Sequence, residues 1–326
     1  MDAQLQRAAH MMPVLDLTDA VAAREATQVF AQFVGDAAMP PSVVTTERTI
    51  PGPAGAPGLR ARIYQLRNRT GPAPGLVFFH PGGFVLGDLE TDHVRCLRYT
   101  AEVGCVIVTT EFRLAPEHPF PAGIEDSYAT LCWTRDNAAT LGIDPARIAV
   151  AGCSTGATFA AAVALMARDR GGPPLAFQLL LYPALDDRLD SRSMRQYADI
   201  PGGDRTGAEL MWHHYLGSLE HTDEVPAYAA PARATDLSAL PPAYVMTNEI
   251  DVCRDEGLEY TRRLIAADVP VELHEFSGTF HAFEAMVRGA DISRRAQEEH
   301  VAVLRRALRR GSVPQHAESV PVGGAV

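Results

Sequence analysis

Four solid apolar runs of strand length, separated by stretches with helical spacing, constrain the fold of this chain more than any other feature of its sequence. The runs are GLVFFH, CVIVTT, RIAVAG and AFQLLLYP, and the helical stretches lie near 91–103, 122–141 and 155–170. Strands that are hydrophobic on both faces are typical of parallel sheets covered by helices on both sides. The alternation therefore predicts an α/β fold with a mostly parallel central sheet.

The rest of the sequence extends this alternation at both ends and interrupts it once. Residues 1–35 have helical spacing, and residues 42–50 and 59–66 alternate as two strands that we expect to pair antiparallel. After Pro183 the pattern lapses into a polar, turn-rich segment with one predicted helix around 208–219, which indicates an insertion. The alternation of strands and helices then resumes with the strand AYVMTNEI, a helix near 255–267, the strand VELHEF and a closing helix from about 289 to 310.

The charge balance of the chain excludes some classes of function. All 29 basic residues are arginine, 40 residues are acidic, and the formal net charge is -11. Because the balance is acidic and no basic run occurs, we expect the chain to bind neither nucleic acid nor a membrane. The lack of lysine excludes catalysis by a lysine side chain.

Cysteine usage and the first residues of the chain indicate its compartment. The five cysteines are scattered and lack CxxC spacing, so we expect no disulfide framework and no metal site. The first thirty residues contain interspersed acids and no long apolar run, unlike a signal peptide or a membrane span. These features predict a cytoplasmic protein with reduced thiols.

Ser154 lies at the centre of the sequence GCSTG, which follows a predicted buried strand and precedes a helix of small residues. With 26 glycines and 11 serines in 326 residues, one accidental GxSxG has a chance of only about 7%. The strand, tight turn and helix around it form the context that exposes a nucleophilic serine at a sheet edge. A serine in a plain glycine-rich loop is the alternative.

A serine nucleophile needs a base and a group that orients the base. His281 follows a strand and a glycine, so a loop could deliver it to the same sheet edge as Ser154, and Asp251 comes just after the strand AYVMT. The order Ser, Asp, His is the α/β-hydrolase order. Rivals for the acid are Glu249, Asp255 and Glu256, of which the last two fit a helix start better. We expect structural rather than catalytic roles for other histidines, namely His213, His214, His274, His300 and His316.

Four sequence blocks together resemble the hormone-sensitive-lipase family of α/β-hydrolases, the bacterial family IV esterases. The blocks are HPGGFVLGD, EFRLAPEHPFPAGIEDSY, GCSTG, and DVCRDEG with the later HAF, and they span about 60–285. The resemblance implies an α/β-hydrolase fold with a helical cap and no metal or organic cofactor. It also implies an oxyanion hole formed by the backbone N–H groups of Gly82, Gly83 and Thr155.

The chain departs from the family pattern at several positions that flank these residues. Pro81 replaces the first glycine of HGGG, and proline has no N–H to donate. Cys153 stands where Asp is usual and Thr155 where Ala is usual; a cysteine nucleophile at 153 is a minor alternative. Further departures, which we expect to alter loop shape more than chemistry, are Val252, Cys253 and Ala282.

The second block and the histidine of the first are expected to act as scaffolding. The resemblance implies that His80 braces the oxyanion loop by hydrogen bonding. Arg113 is expected to form a buried network with Glu117 or Asp126.

The resemblance also implies a domain organisation and a substrate pocket. The expected division is an N-terminal helical part of the cap at 1–41, core at 42–184, cap insertion at 185–227, core at 228–311, and a disordered tail at 312–326. Phe84, Trp212 and Tyr215 are candidate pocket walls, although aromatic residues at helical spacing are more often plain packing. A cap that narrows the entrance favours small acyl groups.

These observations together predict a serine carboxylesterase that hydrolyses short- to medium-chain acyl esters of small molecules through an acyl-enzyme. Acyl transfer or amide hydrolysis by the same triad is the alternative within the class. A ligand-binding protein built on the same fold is an alternative from another class, weakened by the presence of all three triad residue types. The family also includes dimers formed through the last strand and helix, so a homodimer is an open possibility.

Overall fold

The computed structural model describes residues 1–9, 16–34, 39–197 and 203–309, and within them one sheet of eight strands dominates. The strands are β1 (Val43–Ile50), β2 (Leu59–Leu66), β3 (Ala73–Phe79), β4 (Val106–Thr110), β5 (Ile143–Cys153), β6 (Phe177–Leu181), β7 (Ala243–Ile250) and β8 (Val271–Phe280).

The order of the strands is β1-β2-β4-β3-β5-β6-β7-β8. The β1–β2 and β2–β4 pairs are antiparallel, and the other five pairs are parallel. Parallel neighbours end at the same edge of the sheet, so the loops after β5, β7 and β8 meet there. The predicted α/β-hydrolase architecture, with its antiparallel entry and mostly parallel core, is confirmed.

Helices connect the strands and cover the sheet. They are α1 (Ala3–Ala9), α2 (Ala20–Val34), α3 (His93–Val103), α4 (Ala122–Asp136), α5 (Ala138–Leu141), α6 (Thr155–Asp169), α7 (Arg192–Gln196), α8 (Arg205–Leu216), α9 (Arg254–Ala266), α10 (Phe283–Met286) and α11 (Asp291–Ala307). Short 3-10 turns follow at Gly217–Leu219 and Pro231–Arg233.

Alternate residues of the central strands feed two large hydrophobic clusters, one on each face of the sheet, because successive strand side chains point to opposite faces. Val77 and Val150 pack with α4, α6 and α9, whereas Leu76 and Ala149 pack with α3 and α11. Residues 155–167 of α6 are all buried, and many of them are alanines. Small side chains let this helix lie close to the sheet, which holds its N-terminus firmly beside Ser154.

The structure corrects several predicted boundaries. The predicted helix at 122–141 is divided at Asn137 into α4 and α5. The strand RIAVAG begins earlier, at Ile143, which pairs with Ala73 of β3. The strand VELHEF continues to Phe280, which pairs with Ile250 across a register shift. The insertion contains α7 in addition to the predicted helix, which the structure places at α8.

The N-terminal helices contact two different parts of the molecule. The Asp2 amide donates to the Gly278 carbonyl of β8 at 2.8 Å, and Gln4 bonds Asp291 at the start of α11. Leu17, before α2, packs in the same cluster as α8, and its carbonyl lies 2.8 Å from His214 Nε2. Thus α1 lies with core elements, and the grouping of residues 1–41 as one part of a cap stays a prediction.

Two remaining points concern the predicted tail and the length of the helices. The predicted tail at 312–326 lies outside the described residues. Among the residues that are described, every helix is too short or too polar to cross a bilayer.

Candidate active site

Ser154 occupies a sharp turn between β5 and α6. Its φ is 52° and its ψ is -124°, a positive-φ conformation that is costly for a residue with a side chain. A Cβ on Gly152 would lie 2.1 Å from the Gly156 carbonyl oxygen, and one on Gly156 would lie 2.2 Å from the Phe79 carbonyl oxygen. The two flanking glycines are therefore required by backbone contact, as the predicted strand, turn and helix arrangement demands.

His281 and Asp251 complete a hydrogen-bond chain with Ser154. His281 directly follows β8, and its Nε2 lies 2.9 Å from Ser154 Oγ. Its Nδ1 lies 2.8 Å from Asp251 Oδ2, so Nδ1 carries the proton that the carboxylate accepts and Nε2 is free to accept one. Asp251 directly follows β7 and has a side chain that is only 1% exposed.

Asp251 is fixed by two further donors. Its Oδ1 accepts from the Cys253 amide at 2.9 Å, and its Oδ2 accepts from Asn248 Nδ2 at 3.1 Å. Three hydrogen bonds compensate the cost of burying this carboxylate and fix its orientation toward His281.

The surroundings of His281 favour its protonated form. Burial by itself lowers the pKa of the imidazole, but the charge and hydrogen bond of Asp251, followed by the charge of Glu284, raise it above the ordinary histidine value. A base with a raised pKa takes up the serine proton more readily.

The rival acids are engaged elsewhere. Glu249 accepts from the Ser277 hydroxyl and the Gly278 amide. Asp255 accepts from the Ser193 amide at 2.7 Å, and Glu256 accepts from the Asp186 amide at 2.9 Å. Asp251 is thus the acid that the structure brings to His281.

The other candidate histidines bond to partners outside the Ser154 turn, and His316 lies outside the described residues. His213 contacts Glu220, and His274 contacts Glu299. His300 is buried beside Tyr99, and burial lowers its pKa well below the ordinary value.

The predicted oxyanion residues lie in two backbone segments. Thr155 is the first residue of α6, a fifteen-residue helix whose N-terminus favours negative charge. Gly82 and Gly83 have φ values of 141° and 61°, and the Gly82 carbonyl accepts from the amides of Val85 and Leu86 in a tight turn. Within the described part of the chain, the N–H groups of Gly82, Gly83 and Thr155 have no acceptor.

The chain is similar to proteins of a known family. Residues 76–285 match a family described as having the alpha/beta hydrolase fold. The chain is 40% identical to carboxylesterase NlhH of Mycobacterium tuberculosis over 82% of this chain and 84% of that protein. The chain belongs to the α/β-hydrolase family.

Other relatives of this α/β-hydrolase are also esterases. Esterase LipI of Mycobacterium tuberculosis is 40% identical over 74% of this chain and 76% of that protein. The solved structure of a bacterial heroin esterase has a TM-score of 0.92 and 42% identity, covering 95% of this chain and 98% of that one. Membership of the hormone-sensitive-lipase group and the class of carboxylic ester hydrolase are confirmed.

The predicted pocket residues of this hydrolase are brought together but are buried against one another. Phe84 and Tyr215 stack with ring centroids 3.9 Å apart, and Trp212 lies 5.0 Å from Phe84. Each of the three is at most 3% exposed. Plain packing accounts for these contacts, and a role in the substrate pocket stays a prediction.

The predicted scaffolding residues find specific partners. The His80 Nδ1 lies 2.8 Å from the Pro81 carbonyl oxygen, and its ring stacks on Phe112 at 4.1 Å. Arg113 forms a two-pronged pair with Asp126, at 2.7 and 2.9 Å. The alternative partner, Glu117, pairs with Arg24 instead.

Two cysteines lie close to the site. Cys153 is fully buried, and burial raises the pKa of its thiol well above the ordinary value, which makes it a poor nucleophile. Cys253, Asp251 and His281 form the one group in the described ranges whose ligand atoms could hold a metal, all within 4.8 Å. Asp251 and His281 of this group are already hydrogen-bonded to each other.

Several buried polar side chains around Ser154, His281 and Asp251 were not predicted from the sequence. Asn248 holds Asp251, and Tyr182 packs edge-on against His281 with ring centroids 4.9 Å apart. Glu284, three residues after His281, is fully buried. Asn248 was detectable as a polar residue near the end of an apolar strand, whereas Tyr182 and Glu284 carry no motif.

Proposed function

We propose that this chain is a serine carboxylesterase in which Ser154 is the nucleophile, His281 the general base and Asp251 the residue that orients it. The observation that supports this proposal most strongly is the continuous hydrogen-bond chain from Asp251 through His281 to Ser154 Oγ, with distances of 2.8 and 2.9 Å. Ester hydrolysis is the activity named for the relatives NlhH and LipI.

The reaction follows from the placement of these groups. Ser154 Oγ attacks the ester carbonyl carbon while its proton moves to His281 Nε2. The negative charge that develops on the carbonyl oxygen is stabilised by the N–H groups of Gly82, Gly83 and Thr155. The bond to the alcohol oxygen then breaks, His281 gives the alcohol its proton, and the acyl group stays on Ser154.

Water completes the cycle. It attacks the acyl carbon and gives a proton to His281 Nε2, and the tetrahedral intermediate again places its oxyanion against the same N–H groups. When the bond to Ser154 Oγ breaks, His281 returns the proton to the serine and the carboxylic acid leaves. These steps use side chains and backbone of the chain, together with water.

The substrates that we propose are small-molecule esters with short- to medium-chain acyl groups. Helix α8 covers the oxyanion loop so closely that a Cβ on Gly83 would lie 3.2 Å from Met211 Cβ. Phe84, Trp212 and Tyr215 fill the space next to this loop. Side chains this close to the loop would restrict a long acyl chain more than a short one.

The proposal also includes the domain organisation of the chain, its cellular location and its oligomeric state. We expect a cap built from residues 1–41 and 185–227 over a core of residues 42–184 and 228–311. Cytoplasmic location and a homodimer stay predictions.

Hydrolysis of p-nitrophenyl esters from acetyl to dodecanoyl tests the proposal directly. We expect the wild type to prefer the shorter acyl chains and Ser154→Ala to lose activity on all of them. Ser238→Ala, which removes an exposed hydroxyl, is the matched control and should retain wild-type rates. Equal activity in wild type and Ser154→Ala would contradict the nucleophile, and a new ester formed from an added alcohol would identify acyl transfer.

A further inference from the structure

A buried cluster of charged side chains lies beside the proposed triad. Arg95 Nε lies 2.7 Å from Asp92 Oδ1, and Arg95 Nη1 lies 3.0 Å from Glu284 Oε1. The three side chains are at most 10% exposed. We call Asp92, Arg95 and Glu284 the Arg95 cluster.

The Arg95 cluster has more negative than positive charge. Two carboxylates and one guanidinium give it a net charge of -1. The second oxygen of each carboxylate, Asp92 Oδ2 and Glu284 Oε2, is buried without a hydrogen-bond partner among the described residues. Excess buried charge is costly unless an opposite charge compensates it. A cation that forms nearby only during the reaction would be stabilised by this excess negative charge.

Tyr182 joins the Arg95 cluster to the proposed general base. Its hydroxyl donates to Glu284 Oε1 at 2.9 Å and lies 3.3 Å from Arg95 Nη2. The ring of Tyr182 packs edge-on against the His281 ring, with an interplanar angle of 67°. The hydroxyl end of Tyr182 is thus held by the cluster while its ring restrains the imidazole.

We propose that Glu284 is a positioning residue for His281: its buried carboxylate holds Tyr182 against the imidazole ring and stabilises the imidazolium that forms when Ser154 gives up its proton. This proposal rests on the proposed function for its catalytic consequence. The stabilisation of the imidazolium by Glu284 can be tested in the folded protein without any ester substrate. Asp251 contacts His281 directly, and Glu284 acts on it from a second side.

Several other groups share the surroundings of His281 and enter any account of its protonation. Asp251 favours the imidazolium, and the Arg95 guanidinium partly neutralises Glu284, with which it pairs at 3.0 Å. Cys153 and Cys253 are neutral because burial raises the pKa of each thiol well above the ordinary value. The charged and titratable groups that contact His281 or act on its charge are Ser154, Tyr182, Asp251, Cys253 and Glu284, and the Arg95 cluster reaches it through Glu284 and Tyr182.

An NMR titration of histidine-labelled protein tests the electrostatic part without any substrate. The His281 resonance is assigned by its loss in His281→Ala. In Glu284→Gln we expect the midpoint of His281 protonation to fall by about half to one pH unit, because a negative charge is lost and Arg95 is less compensated. In the control Glu299→Gln, which alters the remote Tyr244–Glu299 pair, the midpoint should stay at the wild-type value.

Kinetics on a short-chain ester test the catalytic part. Glu284→Gln should lower kcat about three- to tenfold with KM unchanged and move the acidic limb of kcat/KM to lower pH. Tyr182→Phe keeps the ring and the carboxylate but removes the hydrogen bond, and it should lower kcat about two- to fivefold. Glu284→Asp keeps the charge, so its midpoint should lie closer to that of wild type than the midpoint of Glu284→Gln.

The outcomes separate this inference from the proposed function. An unchanged His281 midpoint in folded Glu284→Gln overturns the inference, whatever the wild type hydrolyses. A lowered midpoint in Glu284→Gln, together with a wild type that hydrolyses no ester, supports the electrostatic contact and contradicts the proposed function. If Glu284→Gln does not fold, wild-type kcat in Tyr182→Phe overturns the inference and a reduced kcat with unchanged KM supports it.

Discussion

The substitution Asp251→Asn removes one charge from the proposed triad while keeping the size of the side chain. Asp251 Oδ1 accepts from the Cys253 amide at 2.9 Å, and Oδ2 accepts from His281 Nδ1 at 2.8 Å and Asn248 Nδ2 at 3.1 Å. An asparagine offers one acceptor oxygen and one donor group, so it cannot serve donors on both sides. The substitution therefore forces one side of the arrangement to change.

We expect the asparagine oxygen to face the backbone amide of Cys253, because that donor is fixed in place. The amide nitrogen then faces His281, whose Nδ1 must become an acceptor and whose proton moves to Nε2. In that tautomer Nε2 cannot accept the proton of Ser154. The expected loss in kcat is about 10³–10⁴-fold, or roughly 4–5.5 kcal/mol of transition-state stabilisation.

The assay is kcat and KM on a p-nitrophenyl ester, with thermal unfolding to show that the variant is folded. Glu249→Gln is the matched control, because Glu249 bonds Ser277 and Gly278 and makes no hydrogen bond to His281. The reasoning is refuted if Asp251→Asn retains kcat within about tenfold of wild type. It is also refuted if Glu249→Gln loses as much activity as Asp251→Asn.

Three further predictions address protonation, the oxyanion hole and stability. Burial lowers the pKa of His281 but Asp251 and Glu284 raise it overall, so kcat/KM should fall as pH drops through a midpoint above about 6.5; a pH–rate profile with a lower midpoint contradicts this. Gly82→Ala places a Cβ 2.1 Å from the Leu86 carbonyl oxygen and should lower kcat about 10²–10³-fold by moving the oxyanion loop. A Cβ on Gly289 would have no neighbouring atom within 4 Å, so the control Gly289→Ala should leave kcat unchanged. Equal rates in the two variants would argue against the proposed oxyanion hole. Asp126→Asn should lower the free energy of unfolding by about 3 kcal/mol, because it leaves Arg113 without its buried charged partner. An unchanged midpoint of urea unfolding would contradict that role.

The central strands could be predicted because burial on both faces leaves a continuous apolar signature. VIVTT and FQLLL read directly as β4 and β6, and both are buried at every position. The ends of other elements depend on partners distant in sequence. Ile143 begins β5 because it pairs with Ala73, and Phe280 ends β8 because it pairs with Ile250. No local periodicity in the sequence records such pairs.

The three proposed triad residues could be predicted because each follows a strand whose end reaches the same sheet edge. The chemistry of Ser154, Asp251 and His281 is also written in their residue types, since a serine nucleophile requires a base and an acid. Tyr182 and Glu284 are different. They are 102 residues apart, neither lies in a motif, and only the fold brings the hydroxyl within 2.9 Å of the carboxylate.

The charge of the Arg95 cluster also gives a reason why the departure at Cys153 is tolerated. The family pattern has Asp before the nucleophile, whereas this chain has a buried neutral thiol there. Asp92 and Glu284 already supply two carboxylates to Arg95, so an aspartate at 153 would add a third to a region with one buried guanidinium. A buried group of that charge would lack compensation. The residue before Ser154 is therefore constrained by the charges packed around it as well as by the motif.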